Sequence, residues 1–217
     1  MHRHRNSQKR FYDGTNTYFI TTNTADRYLF FKEDILCELF VENLRLCKKL
    51  KEFELYAFSI LPTHVHLLLF PGGKYNISDV MHAIKRHFSR DVNLIIKNKD
   101  ITSPEGEDGH PRLQDGEIES RLQGERDERF MEIFREHDDK LKILKQKFIQ
   151  KHTPTHKFPS FKWHGSFHDH VIRGDHDFQF HYDYTTYNPE QHKLVKKTED
   201  YPWQSQNPKF NNFVDPA

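Results

Sequence analysis

The chain has 217 residues, 35% hydrophobic and 30% charged, with a formal net charge of +1. That length suits one domain with a true core, here expected to be a single domain over 1–217 with an insertion at about 99–160. No apolar run approaches the roughly 18 residues of a membrane span, Met1-His-Arg-His-Arg-Asn6 is no signal peptide, and Cys37 and Cys47 make no disulfide framework, so a cytoplasmic protein without a membrane partner is expected. The near-neutral total hides an asymmetry. Residues 105–139 carry 13 acidic and 5 basic side chains, a balance of −8 that leaves +9 on the rest. A basic body suits a polyanionic partner.

In chain order, residues 1–14 form a basic arm ending in a turn at Asp13-Gly14. Thr17–Asn23 alternates and is rich in β-branched and aromatic residues, which predicts a strand. Glu33–Lys51 repeats apolar residues at helical spacing, from Ile35 and Leu36 to Leu44 and Leu46. Two further strands, Phe53–Ile60 and His64–Phe70, are joined tightly through Leu61-Pro-Thr63. Ser78 is the expected N-cap of a helix from Asp79 to about Lys97, with Lys85, Arg86 and Arg90 on or beside its polar side. The glycine-bearing stretch 99–127 reads as loop or disorder, and Glu128–Gln150 as one helix or two. Phe167–Arg173 is a fourth strand. Asp175 can cap a last helix from His176 to Asn188, stopped by Pro189, and the final dozen residues read as loose. The order β-α-β-β-α-(insert)-β-α matches an α+β fold: a ferredoxin-like four-stranded antiparallel sheet with backing helices, a C-terminal helix and an inserted charged segment.

Two stretches carry chemistry. His64 and His66 alternate with Val65 and Leu67, so a strand puts both imidazoles on one face and the apolar side chains on the other. Such a pair either binds a divalent metal through neutral ring nitrogens or simply lines the wet face of a sheet. Far downstream, Tyr184 and Asn188 are four apart and share one face of the last helix. The Asn188 carbonyl can complete a site begun by two histidines, of a kind that suits Mg²⁺ or Mn²⁺ with water in the open positions. A nearby metal can activate an electrophile toward the Tyr184 hydroxyl. The plainer alternative is that Tyr182, Tyr184 and Tyr187 pack the helix on the sheet.

In these residues the chain resembles a known family. Leu61-Pro-Thr-His-Val-His66 is similar to the HUH motif of single-tyrosine transposases. Phe167–Arg173, followed by Asp183-Tyr-Thr-Thr-Tyr-Asn-Pro189 and then Asp200-Tyr-Pro-Trp-Gln-Ser205, resembles the end of the REP-associated tyrosine transposase branch. The resemblance covers roughly 11–98 and 161–206. Gln191 stands where lysine is common in that branch and Lys193 where glycine is common. The resemblance implies metal-dependent nicking and rejoining of single-stranded DNA, with hairpin DNA as partner. Tyr184 would be the nucleophile that forms a 5′-phosphotyrosine, and His64, His66 and Asn188 would hold the metal. Lys85, Arg86 and Arg90, with the N-terminal arm second, are the candidate phosphate contacts; His170 is either structural or lines the DNA groove. His181 and His192 read as surface or packing residues. A monomer and a homodimer sharing active sites are both compatible with it. Two other functions stay open: a non-catalytic hairpin-binding protein on the same scaffold, and a metal phosphoesterase that activates water at His64 and His66.

Overall fold

The computed structural model describes residues 14–98, 125–152 and 158–216. Most of the basic arm and the 99–124 stretch therefore lie outside the described residues. Strands β1 (Tyr18–Asn23), β2 (Glu54–Leu61), β3 (His64–Phe70) and β4 (His168–Val171) form one antiparallel sheet in the order β2-β3-β1-β4. Helices α1 (Asp34–Lys51) and α2 (Ile77–Ile96) follow β1 and β3; α3 (Glu125–Lys151) precedes β4 and α4 (Asp175–Gln191) follows it. This is the ferredoxin-like α+β arrangement that the sequence predicts.

Strand alternation divides the sheet into two chemically distinct faces. Tyr18, Ile20, Val65, Leu67 and Leu69 are fully buried in one core with the apolar stripes of α1 and α2. The core is aromatic where α1, α2 and the 161–163 segment meet: Phe31, Phe40, Phe88, Phe161 and Trp163 stand within 4.9–6.1 Å of one another in successive ring pairs. The opposite face presents Phe19 and Thr21 from β1 and His64 and His66 from β3. Register sets Thr21 beside His66 and Asn23 beside His64. Helix α4 lies against this second face, over β2 and β3.

Several local readings are corrected. Helix α2 is capped by Asn76 rather than Ser78: the Asn76 side chain accepts from the Ser78 and Asp79 amides, and Asp79 bonds back to the Asn76 amide. This reciprocal pair satisfies two orphan donors, which Ser78 at the helix's second position cannot. Glu128–Gln150 is part of one helix. It is packed rather than pendant, with Ile133, His137, Leu141, Leu144 and Phe148 buried along one stripe against α1 and α2. Pro189 does not stop α4, which continues to Gln191. The backbone there is braced by hydroxyls: Thr185 and Thr186 donate to the carbonyls of His181 and Tyr182, and Thr198 donates to that of Thr186. Nor is the C-terminus loose. Phe210 and Phe213 are buried, and the Asp215 carboxylate accepts from the Leu55 amide at 2.7 Å and pairs with Lys48 at 2.6 Å. Tyr201 donates its hydroxyl to the Ile60 carbonyl at 2.7 Å, which docks the preceding segment on β2. Among the described residues no helix is long and apolar enough to cross a membrane.

Candidate metal centre and active site

The adjacent positions on β3 bring the His64 and His66 rings to 4.9 Å between centroids, at 82° to each other. Each ring is oriented through Nδ1: His66 lies 2.8 Å from the Thr21 hydroxyl and His64 3.0 Å from that of Thr63. With Nδ1 donating to these hydroxyls, both Nε2 atoms present lone pairs. The Nε2 of His66 is buried and has no hydrogen-bond partner. Leaving a buried polar atom unmatched costs about 1–3 kcal/mol, a cost that a bound cation would offset.

Electrostatics fits the same use. Burial, then repulsion from His192 and Arg27, pulls the His64 pKa down to about 4. Burial, then His64 and His192, pulls that of His66 to about 3. Both imidazoles are therefore neutral near pH 7, the state in which they can ligate a cation.

Helix α4 supplies the other half. Tyr184 sets its ring edge-on to His66 at 5.3 Å and to Phe19 at 5.6 Å, and stays 37% exposed. One turn on, Asn188 is 1% exposed and its carbonyl oxygen Oδ1 is a second buried acceptor without a partner. The expected quartet of His64, His66, Tyr184 and Asn188 thus falls on two facing elements, with orphaned donor atoms from both. Two unpartnered buried acceptors beside a reachable tyrosine form a donor set that fits a divalent cation.

Two neighbours, Phe19 and Arg27, escaped sequence reasoning, and a third, His192, reads from it as a surface or packing residue. Phe19 is the hub, touching the rings of His66, His181 and Tyr184. Arg27 sits exposed in a turn just after β1, near enough to depress the His64 pKa. His192 stands 5.7 Å from His64 between ring centroids. Its i+4 spacing from Asn188 was the available signal.

The remaining candidates lie elsewhere. Lys85 and Arg86 line a groove between α2 and residues 161–167, where Lys85 donates to the His164 carbonyl at 3.2 Å. Arg90 is differently engaged from the expectation of a phosphate contact. Its Nε bonds the fully buried Asp91 carboxylate at 2.7 Å, and His137 of α3 holds the other oxygen at 2.7 Å. His170 belongs to a second cluster with Asp177 and His181, whose ligand atoms lie within 4.8 Å of one another. There the Asp177 carboxylate accepts from His170 at 2.9 Å and from the Arg173 amide at 2.8 Å and lies 3.0 Å from His181 Nδ1, which bonds the Asp177 backbone carbonyl at 2.9 Å, tying β4 to α4.

Residues 15–103 match the family model of IS200-like transposases. A solved structure of the REP-associated tyrosine transposase bound to a REP hairpin is similar in fold: the match covers 97% of this chain and 88% of that one, at 19% identity and a TM-score of 0.53. No curated protein matches the chain. The stretch 15–103, which includes the strand of His64 and His66, thus matches the model of IS200-like transposases, and the chain shares its fold with the REP-associated tyrosine transposase bound to a REP hairpin.

Proposed function

We propose that the protein nicks and rejoins single-stranded DNA at sites marked by hairpins, through a 5′-phosphotyrosine on Tyr184. The observation that carries this reading is the contact between Tyr184 and His66, with an unpartnered buried acceptor on each of the two elements, His66 Nε2 on β3 and Asn188 Oδ1 one turn beyond Tyr184 on α4. Hairpin DNA is inferred from the partner named for the similar structure. His64, His66 and Asn188 would hold a divalent cation, which when bound neutralises phosphate charge and orients the scissile group.

The chain's own residues do the rest. The Tyr184 hydroxyl gives up its proton as its oxygen bonds to phosphorus, the bond to the 3′ oxygen breaks, and that oxygen takes up a proton and leaves as a 3′-hydroxyl. Phosphorus stays bonded to one ester oxygen throughout, so a strand's 3′-hydroxyl can attack the phosphotyrosine and return Tyr184 unchanged. Arg27, at the rim of the site, offers a charge to the phosphate. Phe19 holds the Tyr184 ring by edge-to-face contact, so the nucleophile is positioned without closing its access to solvent.

The test is incubation with hairpin-bearing single-stranded oligonucleotides and Mn²⁺, followed by denaturing electrophoresis and mass spectrometry. A covalent adduct at Tyr184, lost with EDTA and in Tyr184→Phe, is the expected result. Cleavage that persists in Tyr184→Phe would overturn the reading in favour of an activated water. Hairpin binding with neither cleavage nor adduct would overturn it in favour of a binding protein.

A further inference from the structure

We infer that His192 is a further protein ligand of the cation, making the centre a three-imidazole site that selects Mn²⁺ and its softer neighbours over Mg²⁺. The inference rests on the metal-site reading above and narrows the choice of metal.

The geometry is the first argument. Metal–nitrogen bonds of about 2.1 Å put the centroids of two imidazoles on one cation roughly 4.5–5.5 Å apart. The His64–His66 separation of 4.9 Å falls inside that range, and the His64–His192 separation of 5.7 Å lies just beyond it. His192 is exposed, so a small side-chain rotation closes the difference without a core rearrangement.

The backbone is the second argument. His192 caps the C-terminus of α4. Lys193 adopts left-handed φ 56°, its amide bonds the Glu190 carbonyl at 2.8 Å, and the Leu194 amide bonds the Pro189 carbonyl at 2.9 Å. These paired bonds are a Schellman motif, which fixes the chain at His192. Tyr184, Asn188 and His192 then follow one another at i+4 along the stripe facing β3. The helix C-terminus also brings partial negative charge to the site, favouring a cation.

Donor chemistry supplies the third argument. His64, His66, His192 and Asn188 are all neutral donors, three of them nitrogen. Mg²⁺ is bound through carboxylates and substrate oxygens, and imidazole suits the transition series. A site without a carboxylate also leaves the ion's full charge for the phosphate.

The experiment uses the full-length protein in a His170→Ala background, which disables the second histidine cluster. Calorimetric titrations with Mg²⁺, Mn²⁺ and Co²⁺ compare His192 with His192→Ala and His64→Ala, and pulsed EPR of the Mn²⁺-loaded protein counts coordinated imidazole nitrogens. The expected result is three imidazoles falling to two in His192→Ala, with at least tenfold weaker Mn²⁺ and Co²⁺ binding and little change for Mg²⁺. An unchanged imidazole count in His192→Ala, with His64→Ala abolishing binding, would overturn the role of His192 alone. No effect of His64→Ala would instead remove the metal-site reading beneath it. Circular dichroism of each variant separates loss of a ligand from loss of fold.

Discussion

Lys193 occupies a backbone conformation that its side chain does not favour. At φ 56° a β-carbon crowds the following carbonyl, which costs an L-residue roughly 1–2 kcal/mol. The position closes the Schellman turn of α4, where glycine is the usual choice. This explains why glycine is common there in the branch this sequence resembles. Lys193→Gly should therefore stabilise the protein, by about 0.5–1 kcal/mol once glycine's greater freedom in the unfolded chain is offset. Urea denaturation is the check: the midpoint should rise with an unchanged slope. A lower midpoint would mean that the lysine side chain contributes more than the turn strain removes.

At the scale of elements, α3 is the least expected piece of the fold. Its apolar stripe is diluted by charge, and one buried position of the stripe, His137, is itself polar. What completes it is Asp91 on α2, fully buried and bonded to both His137 and Arg90. Burial alone would raise the Asp91 pKa, but the Arg90 charge and the His137 hydrogen bond outweigh it and hold the group at about 2. Asp91→Ala leaves the half-buried Arg90 guanidinium and the buried His137 ring without their shared carboxylate and should cost about 3 kcal/mol. Amide exchange should show α3 losing protection before the sheet does. A loss below about 1 kcal/mol would mean that α3 docks by its apolar stripe alone. The same comparison explains what the sequence could and could not disclose. Strands and the helices α1 and α2 announce themselves by strict periodicity. So do the paired imidazoles of His64 and His66 and the Tyr184–Asn188 spacing. The Asp91–His137 pair is 46 residues apart in sequence and has no local signature. Pro189 inside α4 defeats a local rule, since the helix runs on through it to Gln191 and closes only in the turn at His192 and Lys193.

For the molecule as a whole, the proposed site and the core respond to acid in the same direction. His64, His66 and His87 all have folded pKa values below the ordinary 6.5, at about 4, 3 and 4, chiefly through burial. Below pH 6.5 the unfolded chain takes up protons that these three positions refuse in the folded state. Their contribution is thus complete above 6.5 and is lost as pH falls toward 4 and 3. Asp91, and Glu33 held low by Lys151, the Ile35 amide and His152 against the opposing effect of burial, add to the loss only below their ordinary carboxylate range. The acid flank should accordingly begin with the histidines, at roughly 1 kcal/mol each by pH 5.5. Urea midpoints measured from pH 7.5 to 5 should fall steadily. A His64→Gln/His66→Gln variant should lose most of that slope while keeping the steeper carboxylate leg below pH 4. Because a cation binds only the neutral rings, saturating Mn²⁺ should lift the midpoint at pH 7.5 and sharpen its fall toward acid, and should do neither in the double variant. A slope that survives in the double variant would assign the acid response to His87 and the α2–α3 junction, and would separate the stability of the fold from the ionisation of its proposed active site.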